Sequence, residues 1–335
     1  MIYREAYQDT KDHKQKYFSD IESFIEGEMK KAELHRKECV KDIFDDPEKH
    51  RQKFRKLLGY PLCAEMDHKS IDVKSTKLSE EEKYTIYRIQ YEMIDGITMT
   101  GLFFRVKGHE KRPLVIVQHG GLGTPEVISG MYDSTSNYND MLQRVLEHDV
   151  HVFAPQLLLW AEKKYDVPFD RYEIDNKLKS VGSSIAALEL YGIMRGLDYF
   201  ETLPEVGKFG MVGLSYGGFY TQCMAALDMR ILSAISCSYF NRREACFHSD
   251  WTWFGSLNHF GDAELACLVY PRRLCIELGR ADDLFPCEDG VKEFERLKEL
   301  CAPRAMDWID LILFDGGHEF CRDDLPIVRL IADIR

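Results

Sequence analysis

Hydrophobic and polar residues alternate with two different periods along this chain of 335 residues. From residue 1 to about residue 60, apolar residues recur at spacings of three and four, which is the stripe of an amphipathic helix. The stripe consists of Tyr17, Ile21, Phe24, Ile25 and Met29. A second helix is predicted to start at Pro47 and to stop at Gly59. We therefore expect residues 1–62 to form an N-terminal helical arm. Packing on its own domain is the default for such an arm, and packing on a second subunit is the alternative.

From residue 84 onward, short apolar strands alternate with helical stretches. Residues 84–93 and 97–106 flank the turn signal Asp95-Gly96, so they are predicted to pair as a hairpin. The other predicted strands are residues 113–118, 151–155, 208–212, 231–237, 273–279 and 308–314. Helices are predicted at residues 137–147, 183–202, 220–229, 288–300 and 325–334. This rhythm indicates an α/β fold, in which a mainly parallel, twisted sheet carries helices on both faces and the hairpin forms an antiparallel edge.

The most informative local pattern is Gly213-Leu214-Ser215-Tyr216-Gly217, which stands between an apolar strand and a helix-forming run. A serine on such a sharp turn needs glycine two residues before it and two residues after it, because side chains there would crowd the turn. The context of strand, turn and helix predicts that Ser215 is a nucleophile. The alternative is an ordinary strand-to-helix turn on which Ser215 caps the helix.

A serine hydroxyl is a weak nucleophile at neutral pH, so it needs a base within hydrogen-bond distance, and that base needs an orienting acid. Both candidates follow Ser215 in the chain, each in a loop directly after a predicted strand. The loops are Gly279-Arg280-Ala281-Asp282-Asp283 and Asp315-Gly316-Gly317-His318. His318 is the predicted base and Asp282 the predicted acid, with Asp283 as the alternative. Loops at the carboxyl ends of parallel strands share one rim of the sheet, so these residues are expected to meet there.

Cleavage of an ester or amide passes through an oxyanion, which two backbone N–H groups can stabilise. Tyr216, the residue after the nucleophile, is one predicted donor. The second donor is predicted in His119-Gly120-Gly121-Leu122-Gly123, which follows the strand at residues 113–118. Gly121 is the preferred donor in this loop and Gly120 is the alternative. His119 is expected to hold the loop by hydrogen bonds.

These motifs resemble those of the α/β-hydrolase superfamily, and the pattern is similar to its dienelactone-hydrolase-like branch, which includes acetyl xylan esterases and cephalosporin deacetylases. The resemblance covers residues 84–335. It implies an α/β-hydrolase fold with the nucleophile, acid, base and oxyanion donors at Ser215, Asp282, His318, Gly121 and Tyr216. Dienelactone hydrolases themselves use cysteine, so the serine argues against that particular activity.

The substrate pocket is expected in two irregular segments of the rim, residues 156–181 and 239–270. Aromatic side chains there can stack on a sugar or an aryl group, or they can pack the segments onto the domain. The pocket candidates are Gln156, Trp160, Trp251, Trp253 and Phe254. His248 and His259 also lie in the second segment, and a structural role is favoured for both.

Composition and charge narrow the classes of function. Hydrophobic residues make up 45% of the chain and charged residues 30%, which is typical of a soluble globular protein. The net charge of −12 disfavours nucleic acid and anionic membranes as partners, because both need clustered cations. No run approaches the roughly 18–20 apolar residues of a membrane span, and the N-terminus lacks a signal-peptide core. A cytoplasmic location is therefore predicted.

The 10 cysteines are scattered without Cys-x-x-Cys pairs, and several fall in apolar runs. Buried reduced thiols are therefore expected, rather than disulfides or a zinc site. The chain has no His-Glu-x-x-His, Walker A or dinucleotide-binding motif, so neither a metal nor a cofactor is expected.

Together, these patterns predict a serine carboxylic-ester hydrolase, whose catalytic domain at residues 63–335 acts through a Ser-His-Asp triad and an acyl-enzyme. Short-chain, acetyl-type esters of carbohydrates or small molecules are the substrates that the resemblance implies. Two alternatives stay open: a serine peptidase or amidase with the same triad, and a catalytically dead binding protein of hydrolase fold. Self-association through the N-terminal arm is a further expectation.

Overall fold

A computed structural model describes residues 2–64, 71–302 and 304–335. Its strands are β1 (Val73–Glu80), β2 (Tyr84–Ile94), β3 (Ile97–Val106), β4 (Arg112–Gln118), β5 (His151–Pro155), β6 (Val206–Leu214), β7 (Ile231–Cys237), β8 (Arg273–Gly279) and β9 (Ile309–Phe314). Its helices are α1 (Lys11–Cys39), α2 (Pro47–Leu58), α3 (Pro125–Ile128), α4 (Met141–Leu146), α5 (Glu162–Tyr165), α6 (Arg171–Ser180), α7 (Ile185–Glu201), α8 (Tyr216–Leu227), α9 (Asp262–Cys267), α10 (Cys287–Cys301) and α11 (Leu325–Ile334).

Within the described ranges the strands form one sheet, in the order β1-β2-β3-β5-β4-β6-β7-β8-β9. The first three strands pair antiparallel, and β3 also pairs antiparallel with β5. From β5 to β9 all neighbouring strands are parallel. This arrangement confirms the predicted architecture of a mainly parallel sheet with an antiparallel edge. The loops after β4, β6, β8 and β9 therefore open onto one rim.

Helices cover both faces of the sheet, because alternate side chains of each strand point to opposite sides. In β4, Leu114 and Ile116 belong to one hydrophobic core, whereas Val115 and Val117 belong to the other. Helices α2, α7, α8, α9 and α10 close the first core, and α4 and α11 close the second. Burial on both faces explains why the central strands consist of continuous apolar runs.

Strand β1 and helix α6 are missing from the prediction because they lack an apolar pattern. Strand β1 is an edge strand that pairs with β2, and most of its residues are exposed. Helix α6 lies inside the segment 156–181, which was expected to be irregular. Its buried residues, Arg171 and Asp175, are charged. Polar residues that are buried through ion pairs leave no hydrophobic stripe in the sequence.

The N-terminal arm packs on the domain less than expected. Helix α1 has 29 residues and is about 44 Å long at a rise of about 1.5 Å per residue. Its predicted stripe is exposed, with 70% of Tyr17 and 67% of Phe24 accessible, whereas its buried residues are Ala32 and Arg36 near the C-terminal end. Helix α2 and the C-terminal end of α1 pack on the domain, whereas most of the predicted stripe of α1 is exposed. Self-association through the stripe stays a prediction.

None of the helices in the described part of the chain combines the length and the apolar content needed to cross a bilayer.

Candidate active site

Ser215 lies on the sharp turn between β6 and α8, and its backbone is strained. Its φ of 62° and ψ of −122° fall where residues with side chains are rare. A side-chain carbon at Gly213 would lie 2.3 Å from the Gly217 oxygen, and one at Gly217 would lie 2.2 Å from the Gln118 oxygen. Glycine is therefore required on both sides of the turn. The Ser215 N–H donates to the Cys237 oxygen at 2.9 Å, which fastens the turn to β7.

The Ser215 side chain does not serve as a helix cap. It makes no capping hydrogen bond to α8, so the N-cap alternative does not describe this residue. The residue is partly exposed. Backbone strain of this kind persists where the surrounding structure enforces it, and it is concentrated at functional sites.

Two backbone N–H groups near Ser215 are suited to bind an oxyanion. Tyr216 is the first residue of α8, so its N–H has no acceptor within the helix. In the loop after β4, the Gly120 N–H is occupied, since it donates to the Tyr138 hydroxyl at 2.8 Å. The Gly121 N–H has no hydrogen-bond partner within residues 2–64, 71–302 and 304–335. Because the Gly120 N–H is already used, Gly121 is the better candidate for the second donor.

His318 and Asp282 form a hydrogen-bonded pair in the loops after β9 and β8. His318 Nδ1 donates to Asp282 Oδ2 at 2.9 Å. Asp282 Oδ1 accepts the N–H groups of Leu284 at 2.9 Å and Phe285 at 3.0 Å. The Asp282 side chain is 1% exposed and that of His318 is 18% exposed. Asp283 is exposed to solvent, so the acid that contacts His318 is Asp282.

The surroundings of Asp282 keep it ionised. Burial alone would raise its pKa, but the hydrogen bonds from His318 and from the N–H groups of Phe285 and Leu284 outweigh burial, so the pKa lies below its usual value. A carboxylate at Nδ1 fixes the tautomer in which His318 Nε2 carries a lone pair. The Phe285 ring stacks on the imidazole with a centroid distance of 5.6 Å and restricts its rotation.

The end of β7 connects the His318 loop to the Ser215 turn. Cys237, whose carbonyl accepts the Ser215 N–H, donates its thiol to the Glu319 oxygen at 3.4 Å. Asn137 also holds this loop, since its Nδ2 donates to the backbone carbonyl oxygen of His318 at 2.8 Å. In the described part of the chain, the Ser215 hydroxyl makes no direct hydrogen bond to His318. Catalytic hydrogen bonds of this kind often form fully only with substrate bound.

His119 braces the loop that carries Gly121. It is fully buried, its Nδ1–H donates to the Gly120 oxygen at 3.0 Å, and its Nε2 accepts the Leu157 N–H at 3.1 Å. Burial lowers the pKa of His119 to about 4, so the ring is neutral at physiological pH. Because both ring nitrogens bind backbone groups, His119 holds the loop and has no free nitrogen to act as a base.

Among the pocket candidates, Trp251 belongs to an aromatic group beside the site. Its ring centroid lies 4.7 Å from that of Tyr216 and 6.0 Å from that of Phe285, which stacks on His318. Trp251 is 4% exposed, so it packs behind Tyr216 and Phe285.

Trp160 and Gln156 lie next to the loop after β4. Trp160 forms a β-bridge with Leu122, the residue after Gly121, and its indole N–H donates to the Val167 oxygen at 3.1 Å. Gln156 Nε2 donates to the Leu157 oxygen at 2.5 Å. Both residues are half-buried. Their positions suit contacts with the part of a substrate that extends beyond the oxyanion donors.

The structure does not bring the other two pocket candidates to this group. Trp253 is buried against Phe54 of α2, with ring centroids 5.7 Å apart. Phe254 is 100% exposed. The segment 239–270 thus extends from the rim, where Trp251 lies, to α2, where Trp253 lies. Trp253 thus matches the alternative in which the aromatic residues pack the segment onto the domain.

A buried network of ion pairs lies next to Tyr216, and it was not predicted from the sequence. Arg171 Nη2 donates to Glu189 Oε2 at 2.9 Å, and its Nε donates to Asp250 Oδ2 at 2.5 Å. The guanidinium carbon lies 5.4 Å from the centroid of the Tyr216 ring. Arg171 therefore joins both rim segments to α7 and to Tyr216, a candidate oxyanion donor. Its partners lie far along the chain, so no local pattern indicates it.

The comparisons with known sequences give one significant curated relative. No family model matches the chain. The chain is 26% identical over 292 residues to YtaP of Bacillus subtilis (strain 168), whose name classes it as a hydrolase, and the match covers 81% of this chain and 93% of YtaP.

Solved structures with the same fold include several esterases. A protein of Bacteroides fragilis NCTC 9343 assigned as an acetyl xylan esterase has a TM-score of 0.65 at 12% identity, covering 86% of this chain and 82% of that protein. The glucuronoyl esterase from Solibacter usitatus has a TM-score of 0.61 at 12% identity, with coverage of 85% and 91%. Acetyl xylan esterase 1 from Thermoanaerobacterium sp. JW/SL YS485 has a TM-score of 0.57 at 14% identity, with coverage of 86% and 93%. This likeness establishes the α/β-hydrolase fold and confirms the fold that the sequence motifs implied.

Proposed function

We propose that this chain of α/β-hydrolase fold is a serine carboxylic-ester hydrolase. The observation that supports the proposal is a convergence at one rim of the sheet. The strained Ser215, the His318–Asp282 hydrogen bond of 2.9 Å, and the N–H groups of Tyr216 and Gly121 all lie in the loops that follow β4, β6, β8 and β9. Each group has a separate task in acyl transfer.

In the first half of the reaction, Ser215 Oγ attacks the ester carbonyl carbon while His318 Nε2 accepts the hydroxyl proton. The carbonyl oxygen becomes an oxyanion, which the N–H groups of Tyr216 and Gly121 stabilise. The carbon–oxygen bond to the alcohol then breaks, and the alcohol leaves with the proton that His318 returns. Asp282 stays ionised and stabilises the imidazolium cation in between.

In the second half, a water molecule attacks the carbonyl carbon of the acyl-enzyme while His318 takes one of its protons. A second oxyanion forms at the same two N–H groups. The bond to Ser215 Oγ breaks as His318 returns the proton to it, so that a carboxylic acid is released and the enzyme is restored.

We infer that the substrates are short-chain, acetyl-type esters of carbohydrates or small molecules. The names of the structural relatives, acetyl xylan esterase and glucuronoyl esterase, support an ester of a carbohydrate. The half-buried Tyr216 ring, backed by Trp251, is the proposed apolar surface beside the acyl position. Trp160 and Gln156 are the proposed contacts for the alcohol part, since Trp160 bridges to the loop of Gly121.

The test is hydrolysis of p-nitrophenyl esters of increasing acyl length, beside a screen of acetylated sugars. We expect the wild type to hydrolyse the acetate and to slow as the acyl chain lengthens. Ser215→Ala should lower kcat/KM about 10⁴-fold or more. A fluorophosphonate should label the wild type and leave Ser215→Ala unlabelled. Ser180→Ala, at an exposed serine of α6, is the matched control and should keep both activity and labelling.

The same experiment separates the alternatives. Faster turnover of an aminoacyl anilide than of p-nitrophenyl acetate would indicate that the protein is a peptidase or amidase rather than an esterase. A wild type that neither turns over any ester nor reacts with the fluorophosphonate would indicate a binding protein. The cytoplasmic location and the domain boundary at residue 63 stay predictions.

A further inference from the structure

A second cluster of reactive side chains lies where α1 meets the segment 239–270. His35 and Cys39 are four residues apart on α1, and His259 faces them from the segment. Cys39 Sγ lies 3.1 Å from His35 Nε2. The ring centroids of His35 and His259 are 5.4 Å apart. One ligand atom from each residue lies within 4.8 Å of the other two.

These separations suit one metal ion. With bonds of about 2.3 Å to sulfur and about 2.0 Å to nitrogen, neighbouring ligand atoms of a tetrahedral site lie roughly 3.5 Å apart. Cys39 Sγ and His35 Nε2 are 3.1 Å apart, slightly less than this value. The three ligand atoms all lie within 4.8 Å of one another, slightly more than this value. Small side-chain rotations therefore suffice to bring the three atoms to a common ion. His35 is exposed, while Cys39 and His259 are half-buried, so an ion has access from solvent.

The two segments that carry these residues are held together by Arg36. The Arg36 side chain is 2% exposed, and its Nη1 donates to the Leu257 oxygen at 2.5 Å while its Nη2 donates to Glu244 Oε1 at 2.6 Å. Arg36 follows His35 directly, and Leu257 comes two residues before His259. The spacing between the helix and the segment is thus fixed beside the cluster before any ion binds.

The chemistry of the donor set selects the ion. One thiolate and two imidazoles are ligands for Zn²⁺, whereas Mg²⁺ and Ca²⁺ need oxygen ligands. A cavity of about 540 Å³ is lined by Cys39 and His259 among others, which leaves room for water as a fourth ligand. A simple thiol–imidazole hydrogen bond on the helix surface would account for His35 and Cys39, but it gives no role to His259.

We propose that His35, Cys39 and His259 bind one Zn²⁺ ion, with water in the fourth position, and that the ion links α1 to the segment 239–270. No motif in the sequence indicates this site, because two of its ligands stand four residues apart in one helix and the third lies far along the chain. The ligands belong to the contact between α1 and this segment, so the proposal is independent of the catalytic one.

The test is metal binding by the metal-free full chain. Titration with Zn²⁺ in competition with a chromophoric chelator should show one ion per chain, and Zn²⁺ should raise the Tm by several degrees. Co²⁺ should give the thiolate charge-transfer band and the visible bands of a tetrahedral site. Cys39→Ser and His259→Gln should each weaken Zn²⁺ binding at least about 100-fold and remove the rise in Tm. Cys39→Ser should also remove the thiolate band.

Two matched variants serve as controls. Cys63→Ser replaces an exposed cysteine outside the cluster, and His13→Gln replaces an exposed histidine of α1. Both should bind Zn²⁺ like the wild type. His35→Gln alters an exposed side chain, so it should fold normally and still lose binding. Zn²⁺ affinity that is unchanged in Cys39→Ser and His35→Gln, or a Co²⁺ spectrum of the wild type without a thiolate band, would overturn the proposal.

Discussion

Two histidines of this protein lie next to paired glycines after strands of one sheet, but their environments are opposite. His119 stands before Gly120 and Gly121 in the loop after β4, and His318 stands after a Gly-Gly pair in the loop after β9. His119 is fully buried, and backbone groups occupy both of its ring nitrogens. The His318 side chain is 18% exposed and binds the carboxylate of Asp282 through Nδ1.

This difference shows how the environment assigns the role of a histidine. A general base must take up and release a proton in every turnover, so it needs an accessible nitrogen and a counter-charge for its cation. His318 has both. His119 lacks them, and burial lowers its pKa to about 4, so it serves as a neutral brace for the loop that carries Gly121.

Replacing each histidine by glutamine tests the comparison most strongly. His318→Gln should lower kcat for p-nitrophenyl acetate about 10⁴-fold or more, because no other group takes the Ser215 proton. His119→Gln keeps the base, so kcat should fall only about tenfold through a looser loop. Its Tm should fall, because the Gly120 oxygen or the Leu157 N–H loses its partner. Equal losses of kcat in the two variants, measured on folded protein, would contradict the assignment.

Replacing the neighbouring aspartates tests which of them supports the proposed role of His318 as the base. Asp282→Asn should lower kcat roughly 10³- to 10⁴-fold, because an amide does not fix the reactive tautomer or stabilise the imidazolium. Asp283→Asn is the matched control at an exposed position, and its kcat should stay within about twofold of the wild type. A larger loss of kcat in Asp283→Asn than in Asp282→Asn would show that Asp283 is the orienting acid.

The pH dependence of stability tests the buried state of His119. Its pKa is about 4 in the folded protein, against about 6.5 in an unfolded chain. Well above pH 6.5 the ring is neutral in both states and contributes no pH dependence. As the pH falls from about 6.5 toward 4, the unfolded chain takes up the proton first, so the folded state loses about 3 kcal/mol.

The measurement is the free energy of unfolding between about pH 7.5 and pH 4.5. The wild type should lose more stability over this range than His119→Gln, which has no imidazole to protonate. His109→Gln, at an exposed loop position, should follow the wild type. Parallel curves for the wild type and His119→Gln would mean that His119 is not held neutral by burial.

Tyr138→Phe has the smallest expected effect and tests the brace itself. The variant leaves the buried Gly120 N–H without its acceptor, which should cost about 1–3 kcal/mol of stability. Since Gly121 follows directly, kcat should fall by up to about tenfold with little change in KM. Tyr132→Phe, at a tyrosine that is 45% exposed, is the control for loss of a hydroxyl. An unchanged Tm and kcat in Tyr138→Phe would show that the hydroxyl does not hold the loop.

The sheet, the turn at Ser215 and the chain order of serine, aspartate and histidine could all be predicted from the sequence. These features follow local rules. A strand buried on both faces must be apolar throughout, and a nucleophile turn excludes side chains at Gly213 and Gly217. Rules of this kind act over a few residues, so they leave a pattern that can be identified without knowing the neighbours.

Contacts between distant parts of the chain distinguish neighbouring residues of the same type. Asp282 is buried and contacts His318, whereas Asp283 is exposed. Trp251 contacts the rim, whereas Trp253 contacts α2. The approach of His259 to α1 is also absent from any local pattern. An irregular segment such as residues 239–270 is oriented by its packing against elements that are distant in the chain. No hydrophobic period or turn residue encodes that contact locally.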